Sequence, residues 1–271
     1  MTAATSLQLS ETKQKYWIEI LRQQFAHPSI ILWRAIEAKY IERILNRYAL
    51  PEPILDLGCA EGKIANALFK NKHLFGLDNT WNLIKQSKNT ETYKALILAD
   101  GCQMPFEDSS FGTVFSNCVI EHIADLNSLL SETGRVLKKD GLFIFTVPSD
   151  LFGEFLFFNV ILKRLGFKGL ADWYSRKRDL MLHHFHCYSH KVWQEKLKEK
   201  SLVMTEYVYY MPKEAVMLWD LLAGIVFIAD KIKIFKRVRE EMMSILKYPM
   251  YQFYDQESIS GGALLIVARK S

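Results

Sequence analysis

The sequence predicts a doubly wound α/β fold with a mostly parallel sheet, and three observations support this. Short apolar runs at 54–57 and 74–78 have the length and composition of buried strands. Between them, a glycine turn leads into a helical pattern, as in a β-α-β unit. As far as Pro148, apolar strands continue to alternate with helical stretches, and this alternation is typical of parallel sheets.

The first 50 residues are predicted to form a helical cap. Two helices are expected between residues 10 and 49, separated by a His-Pro-Ser sequence at 27–29, because proline is tolerated in the first turn of a helix. The second helix is expected to extend from Ile30 to Tyr48 and to end before Pro51, after which the first strand begins.

The glycine turn after the first strand predicts a nucleoside ligand that carries a positive charge. Gly58 and Gly62 have three residues between them, so the spacing is not the G-x-G-x-x-G of dinucleotide sites. Asp56 and Glu61 flank the turn, where acids would repel a pyrophosphate but suit a cationic amino-acid tail. Asp78 ends the second strand, where a carboxylate accepts hydrogen bonds from a ribose. The pattern favours S-adenosylmethionine.

At these residues the chain resembles the class I S-adenosylmethionine-dependent methyltransferases, and among them the small-molecule "type 11" group. Five motifs carry the resemblance in the family's order, over about Ile54 to Ser149: the D-x-G-C-x-x-G of 56–62, Asp78, 98–101 with 104–111, 114–122, and 135–148. The resemblance implies a Rossmann-like, seven-stranded, mostly parallel sheet and a methyl-transfer reaction. The chain departs from the family at Gly112, where an aspartate is usual.

The resemblance also implies which residues hold the cofactor. They lie in the glycine turn, at the tips of the next two strands and at the end of the fourth strand: Asp56, Gly58, Cys59, Glu61, Gly62, Asp78, Asn79, Asp100, Gly101 and Asn117. In the family the aspartate at position 100 meets the adenine amino group, and the residue at 117 lies near the methionine moiety.

Three histidines are the candidate catalytic residues. His122 follows the fourth strand, where the family's cleft opens, and it serves either as a base or substrate contact or as part of a helix start that only packs. His184 and His186 belong to a cluster of four histidines at 183–190, and either they face the substrate or they close the cap by hydrogen bonds.

No metal site is predicted. Some related O-methyltransferases bind a divalent metal through E-x-x-E-H at this point, but Cys118 replaces the first glutamate here. A thiolate is a poor ligand for magnesium, and the histidine cluster matches no recognised zinc spacing.

The regular alternation stops after Pro148. Residues 151–187 are rich in Phe, Trp, Leu and basic side chains, and in the family this segment covers the substrate. A helix is then expected from Ser189 to Lys200, the sixth strand from Leu202 to Met211 and the last strand from Gly261 to Ala268.

An apolar run at 216–229 lies in the insertion before the last strand. It is interrupted by Asp220 and is shorter than the roughly 20 residues of a spanning helix, so no transmembrane segment is expected. Three alternatives stay open: a cap helix packed on the core, peripheral membrane contact through 216–239, where basic residues follow the run, and a dimer interface. The oligomeric state is not predicted.

Four segments are therefore expected, each with its own part in binding. They are an N-terminal helical cap (1–50), the S-adenosylmethionine-binding core (51–150), a substrate-covering cap (151–190), and the C-terminal part of the sheet with a helical insertion at about 213–256 (191–271).

Composition narrows the function class. The chain has 271 residues, 49% of them hydrophobic, and a net charge of +5 whose basic excess lies in 151–247. The four cysteines have no paired spacing and are expected to be buried thiols, and residues 1–8 lack the apolar stretch of a signal peptide, so a cytoplasmic protein is predicted.

The predicted function is methyl transfer from S-adenosylmethionine to a small-molecule or lipid-like acceptor, most simply at oxygen. The alternatives are N- or C-methylation, a nucleic-acid methyltransferase, and a nucleoside-binding protein without activity. Nucleic acid is not expected as a partner, because the lysines are scattered and form no basic stripe.

Overall fold

A computed structural model describes residues 17–69, 73–88, 91–231, 233, 253 and 259–271. Seven strands form one sheet in the order β3-β2-β1-β4-β5-β7-β6. The strands are β1 (Ile54–Leu57), β2 (Leu74–Asp78), β3 (Tyr93–Leu98), β4 (Phe111–Asn117), β5 (Leu137–Pro148), β6 (Leu202–Tyr210) and β7 (Ala263–Lys270). β1 to β5 pair in parallel and β7 is antiparallel to β5, which confirms the predicted fold class.

Helices connect and flank these strands. They are α1 (helical over 17–24), α2 (Pro28–Arg47), α3 (Lys63–Leu68), α4 (Trp81–Ser87), α5 (Leu126–Val136), α6 (Phe152–Phe155), α7 (Phe157–Arg164), α8 (Lys168–Leu182), α9 (His190–Lys198) and α10 (Lys213–Lys231). A 3₁₀ turn covers Ile120–His122. The first 16 residues, which include half of the first predicted helix and the segment examined for a signal peptide, lie outside the described residues.

The central strands are apolar because both of their faces are covered. All four residues of β1 are buried, as are the last eight residues of β5. The parallel register places Leu55 beside Phe75 on one side and beside Val114 on the other. The carboxyl ends of β1, β2 and β4 therefore meet at one edge of the sheet, which is where ligands bind in such folds.

The structure differs from the sequence-based expectation at the start of the last strand and in the segment after Pro148. The last strand begins at Ala263 and not at Gly261. Gly261 lies against Tyr210, where an added Cβ would stand 2.0 Å from the Tyr210 carbonyl oxygen. The segment after Pro148, for which the sequence predicts no regular structure, forms the helices α6, α7 and α8. Gly112, the departure from the family pattern, packs on Pro51, whose carbonyl carbon would be 2.6 Å from an added Cβ.

The chain divides into two compact units. The unit that we call the sheet unit contains the described residues within Ile41–Asp150, Asp179–Val208 and Ala263–Ser271. The other, which we call the helical unit, contains those within Met1–Tyr40, Leu151–Arg178 and Tyr209–Gly262.

An aromatic cluster forms the core of the helical unit. The Trp33 ring meets Phe152 at 5.8 Å, Trp219 at 5.6 Å and Tyr210 at 6.5 Å, each edge to face. The hydroxyl of Tyr210 donates to Glu37 at 2.7 Å, so its polar end is satisfied inside the core.

Helix α10 contains the apolar run and is held by a buried polar group. Asp220 is 1% exposed and accepts hydrogen bonds on both oxygens from the Tyr174 hydroxyl, at 2.8 Å each. Arg178 Nε lies 3.1 Å from the same carboxylate, and its guanidinium stands over the Trp219 ring. Burial raises the pKa of Asp220. The face of α10 that carries Asp220 therefore packs inside the helical unit.

No helix among the described residues combines the length and apolar character that crossing a membrane requires. Most of the basic run after α10, namely residue 232 and residues 234–239, lies outside the described residues.

The four cysteines are free thiols, but the prediction that all are buried is wrong for three of them. Cys59 is buried, whereas Cys102, Cys118 and Cys187 are partly exposed. The physical reason is their place in the fold: Cys102 and Cys118 follow strands β3 and β4 at the open edge of the sheet, where the site lies.

Candidate functional site

The glycine turn after β1 requires backbone conformations that favour glycine. Gly58 and Gly62 have φ angles of +78° and +71°. A Cβ on Gly58 would lie 2.4 Å from a methyl group of Val119, so this position also requires the absence of a side chain. The N–H groups of Gly58 and Cys59 both donate to the carbonyl of Leu77, at 2.7 and 3.0 Å, which ties the turn to β2.

Asp78 holds the turn with both carboxylate oxygens. Oδ2 accepts from the Ala60 N–H at 2.9 Å and Oδ1 accepts from the Thr80 N–H at 2.8 Å. Each oxygen keeps a second lone pair, so Asp78 can still accept a hydrogen bond from a ribose hydroxyl. The sequence predicts a contact of Asp78 with the ligand alone, whereas in the structure Asp78 also holds the backbone of the turn.

Asp56 lies beneath the turn and is 4% exposed. Its Oδ2 accepts a hydrogen bond from the Tyr93 hydroxyl at 2.6 Å. Burial raises the pKa of Asp56 to about 7, the Tyr93 hydrogen bond lowers it, and the charge of Asp78 raises it. Tyr93 also closes on Gly62, where an added Cβ would meet its ring at 2.7 Å. Sequence reasoning missed Tyr93, because no local motif marks a tyrosine at the start of β3.

The other two turn residues have different surroundings. Burial raises the pKa of the Cys59 thiol, and the charges of Asp56 and Asp78 raise it further, so this cysteine stays protonated and unreactive. Glu61 forms an ion pair with Lys63 at the start of α3, so its charge is already balanced in part.

A mostly apolar cavity opens at the tips of β1 and β2. Residues from four segments of the sheet unit line it: Leu57, Gly58, Leu77, Asp78, Asn79, Ala99, Gly101, Val119, Ile123 and Leu129. Asp78 and Asn79 supply its polar side chains, and none of the lining residues is basic. Apolar walls with one carboxylate fit an adenosine group, and the lack of a basic side chain among them does not suit a phosphate.

Four of the ten predicted cofactor residues line this cavity, namely Gly58, Asp78, Asn79 and Gly101. Asp100 is exposed at its edge and accepts the Cys102 N–H on Oδ1 at 2.8 Å. Asn117 ends β4, and its amide donates to the Thr146 hydroxyl at 2.6 Å. The roles of all ten residues toward a cofactor stay predictions.

Arg135 fixes the loop that follows Gly101. Its guanidinium donates to the carbonyls of Met104 and Phe106 at 3.0 and 2.7 Å and to Asp108 at 2.9 Å. It also forms two bonds with Glu132, which in turn accepts the Met104 N–H at 2.7 Å. Arg135 therefore positions the loop, although it belongs to a motif far along the chain.

His122 lies on the segment that forms one wall of the cavity, between Val119 and Ile123. Its Nδ1 is 3.1 Å from the carbonyl oxygen of His183, so Nδ1 carries the proton and Nε2 keeps its lone pair. Partial burial lowers the pKa of His122, and the neighbouring His184 and His183 lower it further. His122 is thus neutral at pH 7 and able to accept a proton.

The other two predicted histidines differ from each other. The His184 ring lies 5.4 Å from that of His122, and its Nδ1 is 3.5 Å from Asp179. His186 uses both ring nitrogens: Nε2 lies 2.8 Å from the carbonyl of Ile123, and Nδ1 lies 3.1 Å from the Tyr188 hydroxyl. The structure thus brings His184 to His122, while His186 ties the 183–190 segment to the cavity wall.

Two groups of side chains among the described residues could hold a metal ion. Glu121, His122 and His184 form one group, and Asp179, His184 and Cys187 form the other, with donor atoms within 4.8 Å of one another. Two histidines with one carboxylate form a donor set that zinc and iron use in proteins. The absence of a metal from the reaction stays a prediction.

Known proteins are similar to this chain in the segment that contains the candidate site. A family model described as "Methyltransferase domain" matches residues 55–145. A malonyl-[acyl-carrier protein] O-methyltransferase of Legionella pneumophila is 30% identical over 128 residues, which are 45% of this chain and 45% of that protein. The human mitochondrial arginine-hydroxylase NDUFAF5 is 33% identical over 137 residues, which are 49% of this chain and 38% of that protein. The chain therefore spans less than half the length of either relative.

The fold is also that of solved methyltransferases. A protein from Galdieria sulphuraria, described as a candidate sarcosine dimethylglycine methyltransferase, superimposes with a TM-score of 0.55 at 18% identity, over 88% of this chain and 85% of that one. The matched residues 55–145 contain the glycine turn, Asp78 and His122. The predictions of the family and of the family's cofactor, S-adenosylmethionine, are confirmed. Residues 55–145 of this chain thus match a methyltransferase domain, in agreement with the resemblance to the class I S-adenosylmethionine-dependent methyltransferases.

Proposed function

We propose that this protein methylates an oxygen atom of a small-molecule or lipid-like acceptor. One observation carries the proposal: the wall of the apolar cavity formed by Val119 and Ile123 continues into His122, whose Nε2, 3.8 Å from Glu121 Oε1, is the nitrogen that can accept a proton. One wall of the cavity and the candidate base thus come from one short segment of the chain, residues 119–123.

The residues of the chain have separate tasks in this proposal. Bound S-adenosylmethionine supplies a methyl group already activated on a sulfonium, so the protein mainly aligns the acceptor and excludes water. Asp78 accepts hydrogen bonds from the ribose, and Gly58 lets the backbone approach the ligand. His122 Nε2 takes the proton that an acceptor hydroxyl loses.

The two further histidines support His122. His184 stands beside the His122 ring and faces the acceptor, while His186 fixes the segment through its bond to the Ile123 carbonyl. This division combines the two alternatives that the sequence left open, with a substrate-facing role for His184 and a closing role for His186.

Oxygen is the preferred acceptor atom for two reasons. Transfer to a hydroxyl requires a base, and His122 is a neutral histidine with one bonded nitrogen. The Legionella relative is named an O-methyltransferase, which supports the same atom. N- and C-methylation, a nucleic-acid substrate and a protein that binds without reacting are the alternatives, and the experiment below distinguishes them.

The test begins with calorimetric titration of S-adenosylmethionine into the full chain. We expect binding, and at least a tenfold weaker affinity for Asp78→Ala, because the ribose loses its acceptor and the turn loses two bonds. Release of S-adenosylhomocysteine is then measured with panels of phenols, carboxylic acids, amines and RNA. Absence of binding by the wild-type chain would sink the proposal.

The role of His122 is tested with a hydroxyl acceptor from that panel. His122→Gln is expected to lower kcat by about 10²–10⁴, the usual contribution of a general base. The wild-type rate should fall in acid, with a midpoint below the ordinary value of a histidine, because burial lowers the pKa of His122. His73→Gln, at an exposed histidine before β2, is the matched control and should leave kcat unchanged.

Two outcomes would contradict this role. Equal kcat for His122→Gln and wild type with a hydroxyl acceptor would remove the base. Turnover of carboxylic acids alone, without effect of His122→Gln, would show that the acceptor arrives already deprotonated and that no base is used.

A further inference from the structure

An exposed apolar surface lies where α7 and α8 join in the helical unit. Four large side chains there expose half or more of their area: Leu165 (64%), Phe167 (58%), Leu170 (50%) and Trp173 (50%). We call these four residues the helical tip. Leu165 and Phe167 flank the turn, and Leu170 and Trp173 are neighbours on one face of α8 because they are three residues apart. An apolar patch of this kind marks an interaction surface.

The turn is built so that the tip stays exposed. Gly166 has a φ of +88° and its N–H donates to the Lys163 carbonyl at 3.1 Å, while the Phe167 N–H donates to the Leu162 carbonyl at 2.9 Å. These two bonds define a Schellman helix end, in which the residue after the glycine usually packs back on the helix. Phe167 is instead 58% exposed. This regular helix end therefore leaves the Phe167 side chain exposed to solvent.

The faces of α7 and α8 that lie opposite the helical tip pack against each other inside the helical unit. The buried Asn159 amide donates to the Ala171 carbonyl at 3.2 Å and to the Ser175 hydroxyl, and Ser175 donates to the Gly153 carbonyl at 2.9 Å. Ala171 is 0% exposed between them. The tip is thus the outer side of a fixed helical hairpin.

Positive charge surrounds the tip. Arg164, Lys168, Arg176 and Lys177 are exposed, and none of them forms an ion pair with another residue in the described part of the chain. Lys163 differs, because it pairs with Glu154 and lies 3.8 Å from Asp172. Large apolar side chains with unpaired cations close to them in the chain are complementary to a surface that is apolar beneath and anionic above.

We propose that the helical tip docks on the surface of an anionic lipid bilayer. Phe167, Leu165 and Leu170 enter the boundary between headgroups and acyl chains, and Trp173 lies at headgroup depth, where tryptophan is favoured. The four cations meet lipid phosphates. This contact goes beyond methyl transfer and does not depend on it. It also differs in place from the contact through 216–239 that the apolar run suggested.

Vesicle sedimentation of the full chain tests the contact. Vesicles of phosphatidylcholine and phosphatidylglycerol at 3:1 are expected to bind the protein at least about tenfold more tightly than pure phosphatidylcholine, and salt should weaken the binding. Phe167→Ser with Trp173→Ser should lower the binding to anionic vesicles at least about tenfold, because two large apolar side chains no longer leave water. Leu98→Ser with Val203→Ser, both 51% exposed in the sheet unit, is the matched control and should bind as the wild type does.

A second measurement does not depend on weakened binding. Brominated lipids quench tryptophans that enter the interface, and the chain has six tryptophans. Trp173→Phe is expected to bind vesicles but to lose most of the quenching. Trp81→Phe, at a tryptophan that is 53% exposed in the sheet unit, should keep it.

Four results would overturn the proposal. The first is failure of the wild-type chain to bind anionic vesicles, and the second is unchanged binding and quenching in the tip variants. The third is loss of binding only in Phe227→Ser with Ile228→Ser, since both side chains are exposed on α10 and would then make the contact. The fourth is a wild-type dimer that the tip variant converts to monomer without any vesicle binding, because a second copy would then occupy the tip.

Discussion

Asp56→Asn is expected to make the ligand-free protein more stable at neutral and alkaline pH. Burial raises the pKa of the Asp56 carboxyl from 3.8 to about 7, so the folded state holds this proton more tightly than the unfolded chain does. Its contribution to folding stability is therefore full at low pH, decreases as the pH rises from about 4 to about 7, and is constant above that. Asparagine has no proton to lose and lacks this decrease.

The magnitude follows from the same two values. The difference between 3.8 and about 7 corresponds to about 4 kcal/mol, at 1.36 kcal/mol for each pKa unit. The asparagine oxygen still accepts from Tyr93, but its buried NH₂ group costs about 1–3 kcal/mol at every pH where it lacks an acceptor. The informative quantity is therefore the change with pH. The stability of the variant relative to wild type should rise by about 4 kcal/mol between pH 4 and pH 8.

Urea unfolding at 25 °C, followed by circular dichroism at several pH values, measures this change. Asp100→Asn is the matched control, because Asp100 is an exposed carboxylate beside the same cavity, and its relative stability should stay within about 0.5 kcal/mol across the range. A constant difference between Asp56→Asn and wild type from pH 4 to pH 8 would refute the reasoning.

The same carboxylate links stability to cofactor binding. A cationic ligand near Asp56 favours its ionised form, so the affinity of the wild-type chain for S-adenosylmethionine should rise with pH through about 7. Calorimetry on Asp56→Asn should show a smaller rise, and an equal rise in both proteins would assign the pH dependence to another group.

Three further predictions concern the turn, the helical unit and the reaction. Gly58→Ala should abolish S-adenosylmethionine binding in calorimetry and destabilise the fold by at least about 1 kcal/mol, because its Cβ would meet Val119 at 2.4 Å and φ is +78°; Val119→Ala should restore part of the stability, and no recovery would speak against the clash. Tyr174→Phe should lower the free energy of unfolding by about 1–3 kcal/mol, because buried Asp220 loses the Tyr174 hydroxyl that both of its oxygens share, and an unchanged urea midpoint would mean that Arg178 and the backbone N–H groups of Phe157 and Phe158 suffice. Treatment with EDTA should leave turnover unchanged, because a sulfonium leaves as a neutral thioether and needs no Lewis acid; lost activity that Zn²⁺ restores would instead indicate a metal at Glu121, His122 and His184.

Much of the geometry of the candidate site could be predicted, because it depends on local features of the sequence. Gly58 and Gly62 indicate backbone angles that few other residues adopt, and Asp78 marks the end of an apolar strand. Such features depend on neighbours within a few residues, so they can be predicted from the order of strand, turn, helix and strand in the sequence.

The different surroundings of the two acidic residues of the turn, Asp56 and Glu61, could not be predicted from the sequence. Asp56 and Glu61 look alike in sequence, but Asp56 is buried under Tyr93 while Glu61 pairs with Lys63. Their different electrostatic roles come from distant residues, since Tyr93 lies 37 positions from Asp56. Burial and pairing depend on packing, which sequence spacing does not encode.

The sequence by itself determined the fold class and the family, because apolar periodicity and glycine geometry act over short distances along the chain. The tertiary structure decided which contacts the histidines make, because the bonds of His122 to His183 and of His186 to Ile123 join segments about 60 residues apart. It also decided where one face of the apolar run at 216–229 packs, since Asp220 meets Tyr174 only when α8 and α10 fold together. Contacts between distant segments fix charge, burial and exposure, and these decide the chemistry.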